Sequence, residues 1–392
     1  MYPALVSLLL GAFAIGTTEF VVAGLLPAIA GDLGVSIADA GLLITGYALS
    51  VAIFGPALAV VAARFPRKPA LLAVVALFVL GHVIAAAAPG FWTLMLGRAV
   101  AAAAHGCYFG LAILLGTSIV PPGRQGMALA IIVGGINVAN IIGVPLGTAV
   151  GTAWGWRAAI VLVGLIGVLA FAAIAAFVPV TPRAAHTQSG FAAQVQALRS
   201  PKVLTAYLLI VLHMLAFWTL STFIAPYFIE TGGIAEARLP AVLLVFGVFG
   251  GLGIVAGGRY ADRYPVASLT LSYPLVAACF AVTWLATPWW WPIGVLAIGL
   301  VWMIGSLAVI GVQNRILQGA AAAPELASSL ISAVFNLGIA AGAALGSQLL
   351  AGGTPVAALP LVSFLFALGA SLVAFAATRA DPPRPPPTRR SR

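Results

Sequence analysis

Charge is what this sequence has least of. Only 7% of its 392 residues are charged and 62% are hydrophobic, where a soluble domain carries about 25% charged residues. A water-soluble fold of this size cannot hide so much apolar surface, so lipid has to be its solvent. Acids are scarcer still, with eight Asp and Glu against eighteen Lys and Arg. The net charge of +10 does not signal nucleic acid, because the basic residues form no single face or helix. They fall in short clusters between long apolar runs. Cysteine is nearly absent. Cys107 and Cys279 lie in apolar stretches without CxxC spacing, which excludes a disulfide framework and a cysteine metal site. The chain carries no GxSxG, no HExxH, no Walker loop and no paired acids at membrane depth, and its loops are too short for a catalytic domain. No enzyme, cofactor or metal is expected. The start, Met1-Tyr2-Pro3, lacks a basic residue and leads into a long apolar stretch containing Glu19, so it does not read as a cleaved leader.

Long apolar runs dominate what is present. A helix needs about 20 mostly apolar residues to cross the hydrocarbon layer. Twelve such stretches centre near Ile15, Val51, Leu77, Cys107, Val138, Leu169, Leu212, Phe249, Ala277, Met303, Ile339 and Phe366. Turn residues separate them, among them Pro66, Pro89-Gly90, Pro121-Pro122-Gly123, Gly232-Gly233 and Gly352-Gly353. The expected fold is an all-α membrane protein with twelve transmembrane helices in two pseudo-symmetric six-helix bundles. The bundles take residues 1–180 and 204–378, with a polar linker at 181–203 and a disordered, Pro- and Arg-rich tail at 379–392. With the N-terminus inside, Arg64, Arg67, Lys68, Arg124, Arg183, Arg199, Lys202, Arg259, Arg263, Arg315 and five tail arginines also fall inside. Arg157 and Arg238 alone fall outside, so the positive-inside bias puts both termini in the cytoplasm of a multi-pass plasma-membrane protein. Trp289, Trp290 and Trp291 suit an interfacial belt at the outer face.

Sliding the chain on itself by 199 residues exposes a repeat. Pro27 meets Pro226, Gly34 meets Gly233, and Arg64-Phe65-Pro66 meets Arg263-Tyr264-Pro265. Asn137 meets Asn336, while Gly143, Leu146 and Gly147 meet Gly342, Leu345 and Gly346. One offset held across separate regions marks two parallel repeats, an arrangement that places a substrate site between the halves near mid-membrane.

Ionisable residues inside the spans are the candidates for chemistry. Glu19 sits well inside the first span, where a charge costs at least about 2.5 kcal/mol on insertion scales. A carboxyl group there can exchange between neutral and charged forms as its surroundings change, as proton coupling requires. Arg98 lies in the fourth span and needs a cavity, an acid or carbonyl groups to receive it; Glu19 is the one obvious acid for such a pair. Nearness to external water is the alternative for both. His82 and His213 read as neutral hydrogen-bonded core side chains, whereas His105 has Tyr108 and Phe109 one turn away. Asn137, Asn140 and Asn336 line a cavity or bond helix to helix. The fifth span carries Gly134-Gly135 and then Gly143-Val144-Pro145-Leu146-Gly147 and Gly151, a pattern for close helix approach around a bend. Tyr47, Tyr108, Phe109, Trp218, Phe223 and Tyr227 are the aromatics available to a drug pocket, with lipid contact or core packing as the competing role.

These segments together resemble the major facilitator superfamily. More narrowly, they are similar to its twelve-span drug:proton antiporters of the arabinose-efflux-permease-like group, which includes chloramphenicol exporters. The marks are Gly16-Thr17-Thr18-Glu19-Phe20 with Leu25-Leu26-Pro27, and Gly97-Arg98 with His105-Gly106-Cys107-Tyr108-Phe109-Gly110. Ala139-Asn140 with Gly143 to Gly147, and Gly155-Trp156-Arg157, complete them. The resemblance implies alternating access in a monomer. It implies that Arg98 matches the arginine tied to proton transfer, and that Gly143, Pro145 and Gly147 match the antiporter motif. One departure stands out. The first inter-span cytoplasmic loop reads Ala63-Arg64-Phe65-Pro66-Arg67-Lys68, without the family's acid, while its second-half copy keeps Asp262-Arg263. A cytoplasmic latch therefore leans on Asp262 and Arg263 more than on Arg64.

The expected function is proton-coupled efflux of a small, largely neutral compound, a drug or antibiotic such as chloramphenicol, with small molecule, proton and bilayer as partners. Glu19 and Arg98 couple the proton. Tyr47, His105, Tyr108, Asn137, Asn140, Trp218, Tyr227 and Asn336 line the cavity. Export of a metabolite such as a sugar or nucleoside remains open and would be favoured by a cavity lined with the asparagines rather than aromatics. A passive facilitator also remains, distinguished by indifference to the proton gradient.

Overall fold

The computed structural model describes residues 2–121, 123–180, 200–320 and 324–379, and all side chains within them except those of Asp262 and of residues 324–326, 328 and 329. The expected linker up to residue 199, the tail from residue 380 and the Asp262 side chain thus lie outside what is described.

Every described span is helical, because only internal hydrogen bonding satisfies the backbone in lipid. The first six helices are α1 (Tyr2–Leu33), α2 (Ile37–Ala62), α3 (Arg67–Ala86), α4 (Phe91–Ser118), α5 (Gln125–Trp154) and α6 (Trp156–Phe177). The second six are α7 (Pro201–Ser221), α8 (Leu239–Arg263), α9 (Ala267–Ala286), α10 (Trp291–Gly319), α11 (Pro324–Ala351) and α12 (Leu359–Arg379). Each of the twelve centres read from the sequence falls inside one of them. Local chemistry sets several ends. Ser36 caps α2 by accepting from the Asp39 N–H at 3.0 Å, and Ser200 caps α7 ahead of Pro201.

The repeat reappears as geometry. In the first half α1 packs on α5 and α6, α4 on α2 and α3, and α3 on α6. In the second half α7 packs on α11 and α12, α10 on α8 and α9, and α9 on α12, which are the same five pairings six helices later. Gly34 and Gly233, matched by the 199-residue offset, leave their helices at φ +63° and +64°. That left-handed conformation is open to glycine without a Cβ clash.

Glycine also sets the helix seams. A Cβ on Gly143 would collide with Thr17 Oγ1, and one on Gly147 would lie 2.7 Å from Val21. The repeat-related Gly342 and Gly346 face α7 in the same way, against the Trp218 Cβ at 3.0 Å and the Thr219 carbonyl at 2.9 Å. α5 departs from a regular helix at its middle. Ala139–Gly143 forms a π turn in which the Val144 N–H reaches the Ala139 carbonyl. Pro145 has no N–H to continue the regular ladder, which accounts for the wider turn there.

The halves meet along two seams, α2 against α11 and α5 against α8. Both are tight at the end away from the termini. There a Cβ on Gly41 would meet Phe223 and Ser347. Gly24 lies against Thr148 and Leu243, and Gly247 against the Asn140 carbonyl. Toward the other end burial falls away. Val60 of α2 is 65% exposed and Val255 of α8 is 72% exposed. Between Gln125 and Val138 only Ala128, Ile132 and Gly135 are buried. This open end carries Arg64, Arg67, Lys68, Arg124, Lys202, Arg259, Arg263, Arg315 and Arg379, because alternate helix directions bring those termini to one face.

Candidate functional site

Two groups of side chains lie within the spans. The first gathers around Arg98, which α4 buries to 2% exposure. No ion pair joins it to Glu19; the expected pairing gives way to the other receiver considered from sequence, backbone carbonyls. Arg98 Nε donates to the Leu43 carbonyl of α2 at 3.2 Å, and Nη1 donates to the Thr18 carbonyl of α1 at 3.3 Å. The guanidinium also sits over the Tyr47 ring, 4.6 Å from its centroid, an arrangement worth about 2 kcal/mol when desolvated. Its remaining nitrogen, Nη2, is buried and has no hydrogen-bond partner among the described residues. The Tyr47 hydroxyl shares a hydrogen bond with His105 Nδ1 at 3.1 Å, and Phe109 meets the His105 ring edge-on. Glu19, 8% exposed, lies within electrostatic reach of both Arg98 and Tyr47. Three helices, α1, α2 and α4, thus bring a carboxyl, a guanidinium, a phenol and an imidazole together.

The second group lies between the halves. A cavity of about 30 Å³ is walled by Phe20 and Ala23 of α1, Asn140 of the α5 π turn, Trp218 of α7, Leu243 and Phe246 of α8, and Trp302 of α10. That volume holds about one or two waters, so this state offers a contracted pocket. Phe20 stacks on Trp218 with centroids 5.4 Å apart and planes 18° apart. Trp302 meets Phe217 edge-on at 4.8 Å. No charged side chain lines the cavity, although Glu19 precedes Phe20 in the chain.

The other residues named from sequence scatter. Tyr108 donates to the Leu8 carbonyl at 2.6 Å, inside the first half, and Tyr227 to the Thr283 carbonyl at 2.9 Å, inside the second. Neither faces the central cavity. Asn336 donates to the Ser332 carbonyl of its own helix at 3.0 Å, and Asn137 is half-buried one turn before Asn140. Gly143 and Gly147 form the seam with α1, and Pro145 follows the π turn. Arg64 is exposed at the open end, and Arg263 lies over the Tyr264 ring at 5.4 Å. Phe20, Phe246 and Trp302 were not singled out from sequence. The one available signal for Trp302 was a Trp in mid-span, unlike Trp289 and Trp290, which lie exposed at the closed end.

Among the described residues no three His, Cys, Asp or Glu side chains converge as a metal site. The family pattern described as Major Facilitator Superfamily matches residues 8–325. This chain belongs to that superfamily. It is therefore a multi-pass membrane transporter and not an enzyme. The chain is 34% identical over 383 residues to the inner membrane transport protein YdhP of Escherichia coli strain K12, covering 97% of each. It is 34% identical over 335 residues to the chloramphenicol resistance protein of Streptomyces lividans, covering 84% of each. The superfamily fold also aligns, at TM-score 0.74 and 18% identity over 96% of both chains, with a bacterial homologue of the human lysosomal transporter Spinster, solved inward-facing and unoccupied.

Proposed function

We propose that this transporter exports a small, largely neutral, ring-containing compound from the cytoplasm in exchange for protons. The basic, open end is cytoplasmic under the positive-inside rule, so the chain stands here facing inward in an inner membrane, its outer seam closed. The observation that carries the reading is the pairing of a buried Glu19–Arg98–Tyr47–His105 group with an adjacent cavity walled by Phe20, Trp218 and Trp302. An uncompensated buried carboxylate is costly, whereas the carboxylic acid is not. An arrangement that leaves Glu19 without an ion pair beside a spare Arg98 nitrogen therefore suits a proton-loaded state. When the proton leaves, Nη2 is the donor ready to receive the carboxylate, and that exchange of partners is what links proton to conformation.

Aromatic walls broken only by the Asn140 amide and the Ser221 hydroxyl favour a drug-like compound over a sugar or nucleoside, which needs several polar partners. The name of the Streptomyces relative points the same way. Arg64, Asp262 and Arg263 serve the cytoplasmic latch, and Gly143, Pro145 and Gly147 let α5 rock against α1. The test is accumulation of labelled chloramphenicol in energised cells. Cells making the protein should hold less label than control cells, and an uncoupler should erase the difference. Trp218→Ala should raise the concentration for half-maximal transport about tenfold, because loss of ring stacking and burial is worth about 1.4 kcal/mol or more. Label equal to control cells would move the substrate to a metabolite.

A further inference from the structure

The threonines at positions 17 and 18 use their hydroxyls differently. Thr17 bonds back to the Phe13 carbonyl of its own helix at 2.8 Å, the usual local choice for a helical threonine. Thr18 instead reaches across to His82 Nε2 of α3 at 2.9 Å. The other ring nitrogen, Nδ1, faces the Phe78 carbonyl at 2.8 Å. A carbonyl only accepts, so Nδ1 carries the hydrogen and Nε2 is left to accept from the Thr18 hydroxyl. The imidazole has little freedom to turn. It is 3% exposed, lies against the Phe78 ring at 4.2 Å, and is approached so closely by α6 that a Cβ on Gly164 would lie 3.1 Å from the His82 Cβ.

The same Thr18 supplies the carbonyl that holds Arg98 Nη1. His82, Thr18 and Arg98 are therefore consecutive links, running from the outer helices α3 and α6 through α1 to α4. A cavity of about 10 Å³ lies along this line, walled by the three residues together with Gly81, Gly97, Ala85, Ala101 and Ile160, so the packing beside the polar bonds is mostly of small residues, with Ile160 the one bulky apolar side chain there.

We infer that Thr18 and His82 are positioning residues for proton coupling: their bond fixes the α1 backbone so that the Thr18 carbonyl keeps Arg98 beside Glu19 without letting the two pair prematurely. This rests on the proton-exchange reading above. Without the bond, α1 is free to turn by the small amount that changes the Glu19 to Arg98 separation, while most of the cavity between the halves, including Asn140, Trp218, Leu243, Phe246 and Trp302, is built from other helices and keeps its place. The consequence is leak: substrate still crosses, but protons and substrate no longer move in fixed exchange.

The test uses the whole protein in liposomes with chloramphenicol as probe. Two rates are compared, uptake driven by an imposed pH gradient and gradient-free exchange of labelled for unlabelled probe. Thr18→Val replaces a hydroxyl by a methyl of similar size and is the variant least able to disturb folding; His82→Gln is its partner. Each should lower gradient-driven transport by at least about fivefold, the lower range for coupling between sites, with gradient-free exchange kept. Thr18→Ser, which restores the hydroxyl, should restore the driven rate, and the double variant should be no worse than either single one, since both remove one bond. Equal loss of both rates, or no loss of either, would overturn the inference. Wild-type transport indifferent to the pH gradient would show instead that the proton-exchange reading itself had failed.

Discussion

Glu19→Gln is expected to abolish gradient-driven export while leaving a folded protein in the membrane. Gln has nearly the shape of the carboxylic acid but carries no proton that it can release, so the contacts of α1 with α2 and α5 persist while the titrating group is lost. The superfamily member described here has few substitutes for that proton. Glu19 is the one acid among its described residues that is both buried and in mid-helix, and the nearest charged neighbour, Arg98, remains cationic at any working pH. Coupling free energies between sites usually amount to about 1–3 kcal/mol, a factor of about 5 to 150. Label accumulation in energised cells should therefore rise to the level of control cells and cease to respond to an uncoupler. Glu19→Asp, which keeps a titrating group on a shorter arm, should retain part of the export. Full export by the Gln variant would transfer the coupling role elsewhere.

The second large effect concerns the closed end. Gly247 of α8 meets the α5 π turn so closely that an added Cβ would collide with the Asn140 carbonyl oxygen and lie 2.7 Å from the Ile141 Cα. These are backbone atoms, so no side-chain rotation relieves the clash. Gly247→Val must push α5 and α8 apart, and overpacking of this kind costs about 1–3 kcal/mol. Part of that strain disappears if the halves separate at this end, so the variant should shift the population toward the opposite-facing state. Leu243, buried at the same junction with Gly24 and Thr148, is the reporter. In a chain with Cys107 and Cys279 replaced by Ser, Leu243→Cys should react with a membrane-impermeant maleimide at least about fivefold faster when Gly247→Val is present. Unchanged labelling in a protein of normal melting temperature would mean that this contact does not hold the end closed.

Much of the fold was legible because lipid simplifies the code. Helices are the one open-ended solution to backbone hydrogen bonding there, so apolar length alone located twelve spans, and punctuation by glycine and proline separated them. The repeat was legible for a different reason. Gly34 and Gly233 need the same positive φ, and Gly143 and Gly342 the same close approach to a neighbouring helix, so backbone constraints preserved what side-chain drift would erase. The site was less legible. A tyrosine in an apolar run looks the same whether it faces a cavity or a carbonyl of its own bundle, which is why Tyr108 and Tyr227 could not be told apart from Trp218. Arg98 was recognisable as needing a receiver, but the choice of the Leu43 and Thr18 carbonyls over Glu19 depends on how α1, α2 and α4 are rotated against one another. Such rotations leave almost no trace in helices that are apolar all round. The same limit hid Phe20 beside the conspicuous Glu19, and Trp302 in the middle of α10.

The central claim is that substrate and proton cross in opposite directions through one set of groups. It is tested most directly by sealing a pH-indicating dye inside liposomes that carry the protein and adding chloramphenicol outside. As the compound enters down its own gradient, protons should leave, so the lumen should turn alkaline, and Glu19→Gln should remove that change. Entry of the compound through the wild-type protein with no change in luminal pH, or with acidification, would contradict the account.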